Sequence, residues 1–248
     1  MKLISDIEYG SLPEQKLDLY IPDCESYPTF LYFHGGGIEN GSKENSKFYS
    51  ALCKMGVAVA TANYRMYPDA KFPEFIEDCA LCTKWVLENI KDYGGDIKKV
   101  FVGGSSAGGY LSMMLCFDKH YLKDLGVKVS DIAGFVFDAG QPTTHFNVLA
   151  ERGFNKWQVH IDNAAPLYFI DGTEKYPPFL VIVSDNDMTN RLEQTNLLMS
   201  TLKHLKCDEN ASFMLMENST HCSYVNKQDE NGRYIFADIV YNYIKENI

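Results

Sequence analysis

No apolar stretch in this 248-residue chain approaches the roughly 18 residues needed to span a bilayer, and the opening Met1-Lys2-Leu3-Ile4-Ser5-Asp6 has no apolar run behind its single lysine. Neither a spanning helix nor a secretory leader is expected, and the reading is cytoplasmic. Basic residues are also scarce: 23 Lys and Arg against 33 Asp and Glu leave a net charge of −10. That balance repels polyphosphate at long range, which argues against nucleic acid and anionic membrane surfaces as partners. The seven cysteines, at 24, 53, 79, 82, 116, 207 and 222, form an odd set without the dense spacing of a disulfide framework. Cys79 and Cys82 make a C-x-x-C, but no second pair stands at zinc-ligand spacing, so reduced thiols and no bound metal are expected. Repeats, low-complexity tracts and linkers are missing as well, so residues 1–248 read as a single domain.

With 46% hydrophobic and 23% charged residues, the composition supports an ordinary folded core. Apolar runs of strand length recur at Leu17–Ile21, Phe30–Phe33, Val57–Ala62, Val100–Val102, Ile132–Phe137, Phe179–Val183 and Phe213–Met216. Several are apolar on both faces, as strands covered by helices on both sides must be. Between them, Phe72, Phe75, Ile76, Cys79, Cys82, Val86 and Ile90 repeat at helical steps and stop near Gly94-Gly95, behind a proline at 73 that suits a first helical turn. Further helices are expected over Ser46–Lys54, Ala107–Phe117, Arg191–Leu205 and Ile235–Ile244. Alternating strands and helices predict an α/β fold with a mainly parallel, doubly wound sheet. The exception is Gln141–Pro178, which mixes aromatics, prolines and polar residues without a clean period and is expected to form a small cap over the site.

The sharpest chemical signal is Gly103-Gly104-Ser105-Ser106-Ala107-Gly108-Gly109, directly between a strand and a helix. Gly104-x-Ser106-x-Gly108 is the pattern of a nucleophile elbow, a strained turn that exposes a serine hydroxyl and needs small neighbours. A phosphate-binding glycine turn would also sit at a helix N-terminus. The Walker lysine is absent, however, and the glycine spacing does not match G-x-G-x-x-G. Upstream, the strand Phe30–Phe33 runs into His34-Gly35-Gly36-Gly37, a loop suited to presenting backbone N–H groups to a developing oxyanion. The expected donors are the amides of Gly35, Gly36 and Ala107, with His34 holding the loop.

A serine nucleophile needs a base and an acid, and in this fold they follow it in the chain order acid, then histidine. The strand Phe179–Val183 ends in Ser184-Asp185-Asn186-Asp187, which makes Asp187 the chosen acid and Asp185 the runner-up. After the next strand comes Glu217-Asn218-Ser219-Thr220-His221-Cys222, and His221 is the chosen base. His145 precedes the acid and would break that order, while His120, His160 and His204 stand in no motif.

With these motifs in place, the sequence resembles the α/β-hydrolase esterases related to hormone-sensitive lipase, in particular their small bacterial members. Asn63-Tyr64-Arg65-Met66-Tyr67-Pro68 is similar to the family's Y-R-L-x-P stretch, and Tyr93-Gly94-Gly95-Asp96 stands before the elbow strand as it does there. The resemblance implies a carboxylesterase working through an acyl-enzyme, with Ser106, Asp187 and His221 at the triad positions and Tyr64, Arg65 and Asp96 in structural roles. It departs from the family at Ser105, where many relatives have Asp, and at Ser184, where a glycine is usual. The long N-terminal cap helices of larger relatives are also missing, which leaves Phe146, Trp157, Tyr168 and Phe169 of the 141–178 stretch as candidates to line an acyl pocket. Short-chain esters are expected as substrates, with deacylation of acetylated or feruloylated carbohydrates, formamide hydrolysis and a non-catalytic binding protein as alternatives. No organic cofactor is called for, because triad chemistry is complete in side chains and amides. A monomer or homodimer is expected.

Overall fold

The strands that read as apolar on both faces form the centre of one eight-stranded sheet in the computed structural model, which describes residues 1–44 and 46–248. In chain order the strands are β1 (Lys2–Glu8), β2 (Lys16–Ile21), β3 (Tyr27–Phe33), β4 (Ala58–Ala62), β5 (Gly95–Ser105), β6 (Gly134–Asp138), β7 (Phe179–Asn186) and β8 (Ala211–Thr220). Their spatial order is β1-β2-β4-β3-β5-β6-β7-β8. β2 runs antiparallel to both β1 and β4, and every other pair is parallel. The helices are α1 (Phe48–Lys54), α2 (Glu74–Asn89), α3 (Ala107–Phe117), α4 (His120–Lys123), α5 (Phe146–Glu151), α6 (Arg191–His204) and α7 (Ile235–Glu246).

Strand alternation divides the core into two layers. Leu31, Phe33, Val100, Val102, Phe135, Phe137 and Val181 point to one side and meet α2, α3 and α6. Phe30, Tyr32, Phe101, Val136, Leu180 and Ile182 point to the other and meet α1 and α7. Each such fully buried side chain contributes on the order of 1.5–3 kcal/mol over an exposed one. α3 is buried at every position from Ala107 to Phe117, as befits the helix that leaves the sheet's middle strand.

The elements depart from the sequence-based expectation in four places. β1 has no apolar run to announce it, because it is an edge strand whose residues are mostly exposed. β8 lies at the opposite edge, so Phe213 and Leu215 are solvent-exposed rather than covered on both faces. Short connections hid α4 and α5 from a reading based on periodicity, since neither completes two turns. Pro73 stands just before α2 rather than inside its first turn.

Candidate active site

The turn after β5 explains its glycines. Ser106 holds φ 57°, ψ −113°, a region costly for a side-chain-bearing residue, and its neighbours must be small to allow it. A Cβ on Gly108 would stand 1.9 Å from the Phe33 carbonyl oxygen, and one on Gly104 2.5 Å from that same atom. Strand β3, the elbow and α3 can therefore approach only with glycine at both positions. The Ser106 amide donates to the Asp138 carbonyl at 2.7 Å, tying the elbow to the end of β6.

Strand register brings acid and base together. β7 and β8 are parallel neighbours paired through Asn186 and Thr220, so the next residue of each, Asp187 and His221, emerge side by side. His221 Nδ1 lies 2.6 Å from Asp187 Oδ1, and Nε2 lies 2.8 Å from Ser106 Oγ. Burial works to raise the Asp187 pKa, but the His221 hydrogen bond and charge and the Met188 and Ser184 amides outweigh it and keep the carboxyl below its ordinary value. An ionised carboxylate only accepts, so Nδ1 carries the proton and Nε2 is left free to accept the serine hydroxyl. Asp185, the runner-up, instead accepts the amides of Asn218 and Ser219 at 2.8 and 3.0 Å and fastens the two strand ends to each other.

The glycine loop lies against the elbow. Gly35, Gly36 and Gly37 line an open cleft of about 620 Å³ together with Ser106 and His221. Ala107 opens α3, so its amide has no partner from a preceding helical turn. His34 sits behind the loop: Nδ1 is 2.7 Å from the Gly35 oxygen and its ring stacks on Tyr64 at 4.5 Å, while burial depresses its pKa. Tyr64 donates to the His34 carbonyl at 2.8 Å. Arg65 grips the buried Asp78 carboxylate of α2, with Nη2 at 2.8 Å from Oδ1, and so anchors the segment after β4. Asp96 accepts the Lys98 amide at the start of β5.

Of the candidate pocket residues, Phe146 lines the cleft. Trp157 is 66% exposed and lines a neighbouring cavity, which shares Phe146 and Met188 with the cleft. Tyr168 is a correction: it lines neither cavity and is 58% exposed. The short helical turn Pro166–Phe169 buries Pro166 and Leu167, so the following ring is turned to solvent against Phe169. Phe169 lines neither cavity either.

Asp138 stands in no motif, although a carboxylate closing an otherwise apolar strand is a visible signal in the sequence. It is fully buried, its Oδ1 accepts the Tyr224 hydroxyl, and Tyr224 stands three residues beyond His221. One residue thus holds the elbow through its carbonyl and the histidine loop through its carboxyl. Its Oδ2 has no hydrogen-bond partner among the described residues, and Ser105 and Cys222 stand near the carboxyl. Burial pushes its pKa up to about 6.

The fold is that of the α/β-hydrolases. A truncated form of a carbohydrate esterase from gut microbiota aligns over 100% of this chain and 96% of its own, with a TM-score of 0.80 at 19% identity. Esterase B from Lactobacillus Rhamnosis (HN001) aligns over 100% and 89%, with a TM-score of 0.80 at 19% identity. In sequence, the BD-FAE family model matches residues 17–134, the part that carries the glycine loop and the elbow. Arylacetamide deacetylase-like 3 of Homo sapiens is 34% identical over 116 residues, 46% of this chain and 28% of that protein. Esterase LipC of Mycobacterium tuberculosis is 26% identical over 219 residues, 79% of this chain and 54% of that protein. The chain spans about half or less of the length of the curated relatives it matches. These matches to known esterases agree with the resemblance that the motifs suggest.

Proposed function

We propose that the protein is a serine carboxylesterase that hydrolyses short-chain acyl esters through an acyl-enzyme. The observation that carries this reading is the pair of hydrogen bonds around one imidazole, 2.6 Å to Asp187 and 2.8 Å to Ser106. Ser106 Oγ attacks the ester carbonyl as His221 Nε2 takes its proton, and the C=O electron pair moves onto oxygen. The amides of Gly35, Gly36 and Ala107 receive that oxyanion; losing one such donor costs on the order of 10²–10³ in turnover. The carbonyl re-forms, the C–O bond to the alcohol breaks, and His221 returns the proton to the departing alkoxide. Water, deprotonated by the same imidazole, then releases the acid and restores the serine. Asp187 keeps the imidazole in the working tautomer throughout.

The 141–178 segment acts as the cover of the site, and Phe146 is its contribution to the cleft wall. With a single ring from that segment at the cleft, short acyl groups are the fitting substrates. Removal of acyl groups from carbohydrates is a second reading, supported by the fold match with the gut carbohydrate esterase. A fluorophosphonate probe should label the native protein and not Ser106→Ala. Equal labelling of both, or of neither, refutes the enzyme reading. Hydrolysis rates for p-nitrophenyl acetate, butyrate and decanoate, set beside acetyl release from acetylated xylo-oligosaccharides, then order the substrate classes.

A further inference from the structure

A second cavity, of about 280 Å³, adjoins the cleft and shares Phe146 and Met188 with it. Arg191, Lys156, Gln141, Gln158, Gln194 and Asn190 line it, and no Asp or Glu does. In a chain with 33 acidic residues against 23 basic ones, a wall holding two cations and no acid is against the trend.

Arg191 is the more telling of the two. Arg65, Arg152 and Arg233 each hold a carboxylate. Arg191 is only 4% exposed, yet among the described residues no carboxylate stands within ion-pair distance of it. Its Nη1 donates to the Ala139 carbonyl at 2.8 Å, and its Nη2 reaches Gln141 at the long distance of 3.4 Å. Asp187 is the acid that acts on it from farther away, and that carboxylate is already engaged by His221. A buried guanidinium facing only neutral acceptors leaves donor capacity and positive charge unanswered, which is costly unless an anion arrives. Burial lowers its pKa to about 10, so it stays cationic at neutral pH. Lys156 has no carboxylate partner among the described residues and lies over the Trp157 ring at 5.2 Å. The open cleft around Ser106 contains Glu39, so an acidic substrate is repelled there and attracted at the side cavity.

We propose that this cavity seats a carboxylate carried by the substrate, held by Arg191 and Lys156 beside the reacting ester, so that the preferred substrates are esters bearing an acid group. The inference rests on the esterase reading and names its substrate class. A planar carboxylate matches the guanidinium fork, and the surrounding amides supply further donors.

Two matched pairs of esters test it. p-Nitrophenyl hemiglutarate against p-nitrophenyl pentanoate places the acid on the acyl side, and 4-acetoxybenzoate against its methyl ester places it on the alcohol side. The native enzyme should favour the acidic member of at least one pair about tenfold in kcat/KM, mainly through KM. Lys156→Gln and Arg191→Gln should each shrink that ratio, and Lys156, being on the surface, guards against loss of folding. Preference for the neutral member in both pairs, or ratios unmoved by both substitutions, overturns the proposal. If none of the four esters is cleaved, the esterase reading fails; the cavity is then judged by glutarate and benzoate binding to Ser106→Ala. Neither raising its melting temperature would sink the carboxylate site, and a rise that Lys156→Gln diminishes would uphold it.

Discussion

Replacing Asp138 by asparagine should stabilise the protein at neutral pH and leave it unchanged in acid. Asparagine keeps an oxygen for the Tyr224 hydroxyl and nearly the same shape, so the substitution removes mainly a buried charge. Burial raises the carboxyl from the ordinary 3.8 to about 6 in the folded protein. The folded state therefore binds the proton more tightly than the unfolded chain. Its contribution is fully present below pH 3.8 and is lost as the pH rises through 6. A difference of about two pH units corresponds to about 3 kcal/mol at pH 7 and above. The assay is urea denaturation of both proteins from pH 4 to 8. Other titrating groups are common to the two, so the difference between the curves isolates this carboxyl. It should be near its minimum at pH 4 and grow by about 3 kcal/mol by pH 7.5. Parallel curves over that range would refute the argument, because they would mean that Asp138 titrates alike in both states.

Asp187→Asn should lower kcat by about 10⁴ by spoiling the imidazole's tautomer, whereas Asp185→Asn, which loosens only amides of the strand-end loop, should lose far less; steady-state assays on p-nitrophenyl butyrate decide, and equal losses would reject the assignment. Tyr224→Phe strips the buried Asp138 carboxyl of its donor and should cost about 1.5–3 kcal/mol in urea denaturation at pH 7.5. It should also slow turnover, since the loop carrying His221 loses its tie to the elbow. Gly108→Ala forces a methyl to within 1.9 Å of the Phe33 carbonyl oxygen and should destabilise by more than about 3 kcal/mol, read as a lowered denaturation midpoint. Arg65→Gln leaves the buried Asp78 without its cation and should cost about 1.5–3 kcal/mol, with a drop in melting temperature.

Local patterns determined much of this protein. The apolar runs at Phe30–Phe33, Val100–Val102 and Phe179–Val183 could become only strands covered on both faces, and the helical repeat from Phe72 to Ile90 only a covering helix. The elbow and the glycine loop were legible because steric need confines such positions to small residues, and the chain order of Ser106, Asp187 and His221 was legible because it follows from the fold. The tertiary structure decided what depends on distance and register. It placed Asp187 rather than Asp185 at the imidazole by the end-to-end pairing of β7 and β8, where a shift of two residues would exchange them. It set aside Tyr168, whose exposure follows from the turn that buries its two predecessors. It also revealed Asp138 and Arg191, two buried charged residues in no motif. Their significance lies in partners far away in sequence, and a linear pattern carries no record of which groups burial leaves unanswered.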